Sequence, residues 1–252
     1  MNPNPTEFRT GVIAPVECFK EGWALIKDQY WLFLGIVIVG MLLGGVVPIV
    51  LLGPMMVGIY LCFFRRMRGE PVEFGNLFKG FDYFAQGLIA ALIQVIPIVV
   101  VMIPMYIIWF AFIMTSMPRA GERMGQAEAQ AFVFTFLGFE LVFLVIIIAV
   151  GILTNIFFLF SFPLIADRNL SGVDAVKLSI KAGKANFGGI LLLLLMNAGL
   201  GLLGVLACYV GVFFFMPVSL AATAVAYRRV FPEITSGFAS PPPPPPPGSW
   251  TA

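Results

Sequence analysis

FGGILLLLLMNAGLGLLGVLACYVGVFFFMPVSLAATAVAY, residues 187–227, runs for 41 residues without an aspartate, glutamate, lysine or arginine. As one α-helix it would reach roughly 60 Å at about 1.5 Å per residue, twice the ~30 Å hydrocarbon core of a bilayer. It reads as a hairpin of two crossing helices, turning in the glycine-rich middle around Ala207 to Gly211.

The same test applies outward along the chain. Residues 31–64, 88–118, 129–139 and 141–166 also lack all four charged types. The 252-residue chain is 60% hydrophobic and 11% charged, against about 25% charged in a soluble domain. A soluble core could not hide so many apolar runs, so lipid is the simpler solvent. The first 30 residues carry charges of both signs and the first apolar run is too long for a cleavable leader, so the first span is expected to insert as an anchor.

The run 31–64 is broken by Pro48, Gly53 and Pro54, which predicts two short helices of about 16 residues and about 24 Å each. Leu88 to Trp109 and Leu141 to Pro163 supply two more spans. Between them, residues 110–140 carry PRAGERMGQAEAQ; the expectation is an extracytoplasmic elbow lying partly on the membrane, or else an extension of both helices beyond the lipid.

Six spans with both ends inside put Arg9, Lys20, Lys27, Arg65, Arg66, Arg68, Lys79, Arg168, Lys177, Lys181, Lys184, Arg228 and Arg229 on the cytoplasmic side, and only Arg119 and Arg123 outside. That is a strong positive-inside bias. Reading 31–64 as one helix splits the basic residues and loses it.

A repeat supports the layout. Shifting PVECFKEGWALIKDQYW (15–31) by 157 positions lays Glu17 on Asp174, Lys20 on Lys177, Lys27 on Lys184 and Tyr30 on Phe187. Val16, Phe19, Trp23, Ile26 and Tyr30 step 3, 4, 3, 4, as do Val173, Val176, Ile180, Gly183 and Phe187, which is one face of a helix. The hairpins end alike: PMMVGIYLCFFRR (54–66) matches PVSLAATAVAYRR (217–229) in the spacing of its proline and Arg pair, with six extra residues in the second hairpin.

A fainter third copy begins at PVE 71–73, where Pro71 and Glu73 suit the first turn of a helix with the stripe Leu77, Phe81, Phe84 and Leu88. Ser171 and Asp174 make a capping box for the last copy. The expected fold is an all-α integral membrane protein with six transmembrane helices as three hairpins. Each hairpin follows an amphipathic cytoplasmic-surface helix, in repeat units 15–66, 71–168 and 172–229. An N-terminal segment, 1–14, precedes them and a Pro-rich cytoplasmic tail, 231–252, follows.

Chemistry is sparse. The chain has no histidine and no HExxH, GxSxG or Walker pattern. Cys18, Cys62 and Cys208 form no CxxC. Catalytic, cofactor and metal residues are therefore not expected, and a net charge of +2 does not suggest nucleic acid.

Glu140 is the one carboxylate set in apolar sequence; it either forms an intramembrane site or sits at the outer end of the fourth span. Gln94, Asn155 and Asn197 are polar residues within spans, available for interhelical hydrogen bonds or for lining a path. Lys177, Lys181 and Lys184 line the polar face of one helix; with Arg65, Arg66, Arg68, Arg168, Arg228 and Arg229 they could hold anionic lipid headgroups. The seven prolines of the tail could form a stiff rod for a polyproline-binding partner.

GPMMVGIYLCFFRRMRGEPVEFGNLFKGF (53–81) resembles a recurring signature of uncharacterised bacterial integral-membrane proteins. Its elements here are Gly53-Pro54, Gly58, Arg65 to Arg68, Gly69-Glu70, Leu77-Phe78 and Gly80-Phe81. PLIADRNLSGVDAVKLS (163–179) resembles the segment before the last hairpin in these proteins, and is similar to the membrane domain attached to some bacterial glycerophosphodiester phosphodiesterases. The resemblance spans most of 15–230 and implies a multi-helix inner-membrane domain. It brings no activity, because the phosphodiesterase catalytic domain is not in this sequence. The expected role is non-enzymatic: a membrane-organising or accessory subunit binding lipid or another membrane protein. The alternative is a small transporter or channel with a path between the hairpins.

Overall fold

The computed structural model describes residues 7–116 and 125–233. Arg119, Arg123 and the proline run lie outside the described residues. The described chain is all helical: α1 Pro15–Ile26, α2 Tyr30–Val46, α3 Leu52–Met67, α4 Phe84–Ser116, α5 Gln126–Phe158, α6 Ser161–Arg168, α7 Gly172–Ala185, α8 Phe187–Leu206 and α9 Val210–Val230. A 3₁₀ turn, Lys27–Gln29, follows α1, and a longer 3₁₀ helix, Phe74–Tyr83, precedes α4. Five stretches are long and apolar enough to cross a membrane: Pro15–Val46, Phe74–Ser116, Gln126–Arg168, Phe187–Leu206 and Val210–Val230. The protein is accordingly a multi-pass membrane protein. With 16 residues, α3 is shorter than any of them.

Local chemistry explains the ends. Pro15 opens α1 with Glu17 in its first turn, where a missing N–H costs nothing and an acid favours the helix dipole. Ser171 caps α7 by accepting the Asp174 N–H at 3.2 Å. Asn169 closes α6 in the left-handed region. Cys208 and Tyr209, with φ of 58° and 63°, turn the chain between α8 and α9, within the stretch expected from the glycines. At the break between α5 and α6, the Phe160 N–H is taken up by the Ser179 hydroxyl at 3.1 Å, which itself donates to the Phe157 carbonyl at 2.8 Å.

One expectation needs correction. Pro71 and Glu73 do not start a helix: Glu73 is extended and the 3₁₀ helix begins at Phe74. Of the two readings of 110–140, the described residues follow the second: 110–116 and 126–140 continue α4 and α5 as helix. Each of these two helices has 33 residues, or about 50 Å. Pro97 and Pro104 lie inside α4 without ending it, and an apolar surrounding that offers the backbone no other hydrogen-bond partner favours continued helix.

Burial is concentrated toward the basic ends of the helices. Phe33, Phe63, Phe64, Phe160, Tyr227 and Phe231 are fully buried. By contrast α4 buries only Gly87, Ala90 and Ala91, and α5 only Ile156 and Phe158. The remaining aliphatic and aromatic surface of α4 and α5 faces outward, as suits helices solvated by hydrocarbon.

The three surface segments pack on neighbouring helices. α1 packs on α9, the 3₁₀ helix on α3, and α7 on α4, α5 and α6. Backbones touch at glycine: Gly22 against Ala221 and Ala222, Gly80 against Gly58, and Gly183 against Ile156. Gly58 and Ala221 each stand seven residues before the first arginine of their pair, Arg65 and Arg228. Both receiving helices therefore present a small residue at the same register. In α1 and α7 the buried positions Pro15, Cys18, Gly22 and Ile26 coincide, at the 157-residue offset, with buried Gly172, Ala175, Ser179 and Gly183.

Candidate functional site

Two places gather the candidate residues. The first is the basic face. Here most arginines are engaged within the protein. Arg228 forks onto Asp167 at 2.7 and 2.9 Å and lies over the Phe64 ring at 4.6 Å, while the Tyr227 hydroxyl donates to the same carboxylate at 2.8 Å. Arg229 reaches Glu17 at 3.0 Å and Glu21 at 2.7 Å, tying α9 to α1. Arg66 does the same for α3, donating to the Leu25 carbonyl at 3.1 Å and meeting Asp28 at 3.3 Å.

Arg65 and Arg68 converge on Glu70, at 3.5 and 2.6 Å. The hydrogen bond from Arg68 holds the Glu70 carboxyl below its ordinary value. Arg168 donates to the carbonyls of Glu7 and Pro232 at 3.4 and 3.3 Å, with its guanidinium 5.0 Å from the Phe231 ring centre.

The lysines differ. Lys177, Lys181 and Lys184 on α7, Lys20 on α1, neighbouring Lys27 and Lys79 on the 3₁₀ helix are exposed and form no ion pair with another described residue. Beside them stand exposed aromatics: Trp23 (48%), Trp31 (73%), Phe74, Phe78, Phe81 and Phe187. Nothing in the charge pattern separates the paired arginines from the unpaired lysines. The acids that take Arg66, Arg228 and Arg229 lie far along the chain, as Glu17 does from Arg229, whereas Glu70 takes its near neighbours Arg65 and Arg68.

The second place is a cavity of about 480 Å³ enclosed by α3, α4, α5, α8, α9 and the start of α6. It brings together Gln94, Asn155 and Asn197, with Thr154, Ser219 and Thr223. Among the described residues, no acidic or basic side chain lines it. Ile49, in the connection between α2 and α3, forms part of the wall with a backbone φ of 73°, which is costly for a β-branched residue.

Gln94 lies ten residues into α4 and Asn197 ten into α8. That is about 15 Å from the basic end, the middle of a ~30 Å hydrocarbon layer. The wall residue Tyr60 packs on buried Phe63 and Phe64, and Tyr227 joins Phe64 to Phe160 in the same aromatic cluster.

Glu140 is not part of it. Its carboxylate accepts the Trp109 indole N–H at 2.9 Å, joining α4 to α5 some 15 residues along α5 from Asn155. The thirteen candidates thus divide into ion-paired or carbonyl-bound arginines, three free lysines, three amides at one cavity and one distant acid. The three amides share no motif; only the helix packing brings them together. No family model, curated protein or solved structure matches the chain.

Proposed function

We propose that this is a non-enzymatic bacterial inner-membrane protein that binds anionic lipid through a lysine and aromatic collar, acting as a membrane-organising or accessory subunit. The protein crosses the membrane six times in three hairpins, with both termini on the cytoplasmic side. The close glycine seating of the three surface segments supports that layout. So does α3, which at 16 residues is paired along its length with α2; a short hairpin is accommodated by thinning of the bilayer.

One observation carries the lipid reading: each surface segment exposes a lysine that forms no ion pair with a described residue, and exposed aromatic rings stand on or just after each segment, Trp23 and Trp31, Phe74, Phe78 and Phe81, and Phe187. Aromatic rings favour the headgroup level, and lysine near an anionic leaflet contributes about 1 kcal/mol per residue.

The test uses variants retaining only Trp23 or only Trp31, reconstituted into vesicles containing brominated phosphatidylglycerol or brominated phosphatidylcholine. Stronger quenching by the anionic lipid is expected, abolished by K20Q and K27Q. Equal quenching by the two lipids overturns the reading. The cavity favours a second reading, a transporter path between the hairpins. Such a path would have to pass the filled aromatic cluster of Phe63, Phe64, Phe160 and Tyr227, so binding rather than passage is the simpler use of that space.

A further inference from the structure

We propose that the cavity among α3, α4, α5, α8 and α9 binds an uncharged amphiphile whose polar end both donates and accepts hydrogen bonds, a hydroxyl or amide on a hydrocarbon chain. Two polar atoms at this site are left over. Gln94 Nε2 and Asn197 Oδ1 are shielded and have no hydrogen-bond partner, and both residues line the cavity. One is a donor and the other an acceptor. Buried polar atoms are ordinarily satisfied, and an orphan is a reason to look for a missing partner. Both atoms are shielded from the cavity itself, so a hydroxyl entering it satisfies them once the two amide side chains turn toward it.

The neighbouring polar groups are partly occupied. Asn155 Nδ2 donates to the Gly151 carbonyl at 2.9 Å and Thr223 Oγ1 to the Ser219 carbonyl at 2.9 Å. Asn155 keeps its second N–H and its oxygen for an incoming group, and Thr223 its hydroxyl oxygen.

The absence of any acidic or basic side chain from the wall excludes ions as the favoured occupant. A charge at this depth would meet no counter-charge, and an unpaired charge in an apolar enclosure is costly. The rest of the wall, including Leu52, Val95, Phe158 and Leu194, suits a hydrocarbon body. Three wall residues, Leu52, Ile98 and Asn155, are also exposed on the molecular surface. The cavity therefore opens sideways at the level of the hydrocarbon, where a lipid-soluble ligand is concentrated. Its existence follows from the short first hairpin. The α2–α3 connection, at Ile49, turns beside the cavity instead of continuing to the far face, and the left-handed Ile49 is the backbone outlier at that wall.

The test uses the full chain in nanodiscs with a diazirine-bearing hexadecanol, and diazirine-bearing palmitate as the charged counterpart. The alcohol is expected to crosslink to the cavity-lining peptides of α4, α5 and α8 and to be displaced by unlabelled hexadecanol. Palmitate should label those peptides about tenfold less. Gln94→Leu and Asn197→Leu should each cut alcohol labelling by about tenfold, as one buried hydrogen bond is lost.

Each variant should also raise the thermal midpoint measured without the alcohol, because an unpaired polar group has been removed. Equal labelling by palmitate, labelling only on lipid-facing residues, unchanged labelling in both variants, or a lowered midpoint in both overturns the proposal. The wild-type comparison of alcohol with palmitate decides even if a variant does not fold. A negative result here leaves the tryptophan-quenching test of the collar untouched.

Discussion

Arg228 and Asp167 join α9 to α6 through two parallel hydrogen bonds of 2.7 and 2.9 Å. Their side chains are only 14% and 12% exposed. A pair so enclosed is expensive to break from one side, because the survivor keeps a desolvated charge. Asp167→Ala or Arg228→Ala is expected to cost about 3 kcal/mol, and the double variant Asp167→Leu with Arg228→Met to recover most of it. Thermal midpoints in one detergent give the comparison; additive losses in the double variant would mean that the two groups do not act as a pair.

The glycine contacts predict a steep and local size dependence. A Cβ at Gly22 would lie 2.7 Å from the Ala222 nitrogen, and one at Gly58 would run into the Leu77 carbonyl. These neighbours are backbone and cannot rotate away. Gly22→Val and Gly58→Val are expected to lose about 3 kcal/mol or to misassemble, the upper end of overpacking costs. Gly45→Ala in α2, which meets nothing within 4 Å, should be neutral or slightly stabilising through helix propensity. Size-exclusion profiles and thermal midpoints of the three proteins distinguish local contact from a general intolerance of glycine replacement.

These same contacts show what the sequence could and could not reveal. Apolar runs and prolines located the helices, and the glycine-rich centre of 187–227 located the turn at Ala207–Tyr209. Periodicity also identified α1 and α7, but the apolar stripe is split between the protein and its surroundings: Val16 is 53% and Trp23 48% exposed, while Ile26 and Val176 on the same stripes are buried, beside the small Cys18 and Gly22 that lie off it. In lipid, large apolar side chains gain nothing by turning inward, and close packing selects small residues for the protein side. Hydropathy alone therefore assigns the helix and leaves its inward face open. The cavity was legible only as three scattered amides, because no local pattern says that α4, α5 and α8 meet there.

Glu70 gives a pH signature. Its hydrogen bond from Arg68 at 2.6 Å lowers its carboxyl pKa in the folded chain. A lowered folded value means that the associated stabilisation is present above the ordinary carboxylate range and is lost as pH falls through the lowered value. Glu70→Gln should therefore be slightly less stable than the parent at neutral pH. The two should converge in acid, and the gap should shrink with added salt because the pair is exposed. Thermal midpoints of the two proteins across pH check the direction; a gap that widens on acidification contradicts it.

The native thiols provide the topology test. Cys208 is exposed in the turn between α8 and α9, whereas Cys18 and Cys62 are buried. If α8 and α9 form a hairpin entering from the basic side, Cys208 lies on the far side of the membrane. A membrane-impermeant maleimide added to intact spheroplasts should then modify the wild-type protein at a single thiol, and Cys208→Ser should abolish labelling. Lys181 is exposed on α7, just before the hairpin begins. In the Cys208→Ser background, Lys181→Cys should stay unlabelled until the spheroplasts are lysed. Labelling of that variant before lysis would put α7 outside and reverse the hairpin, whereas protection of Cys208 in spheroplasts followed by labelling on lysis would show that α8 and α9 do not carry the turn across.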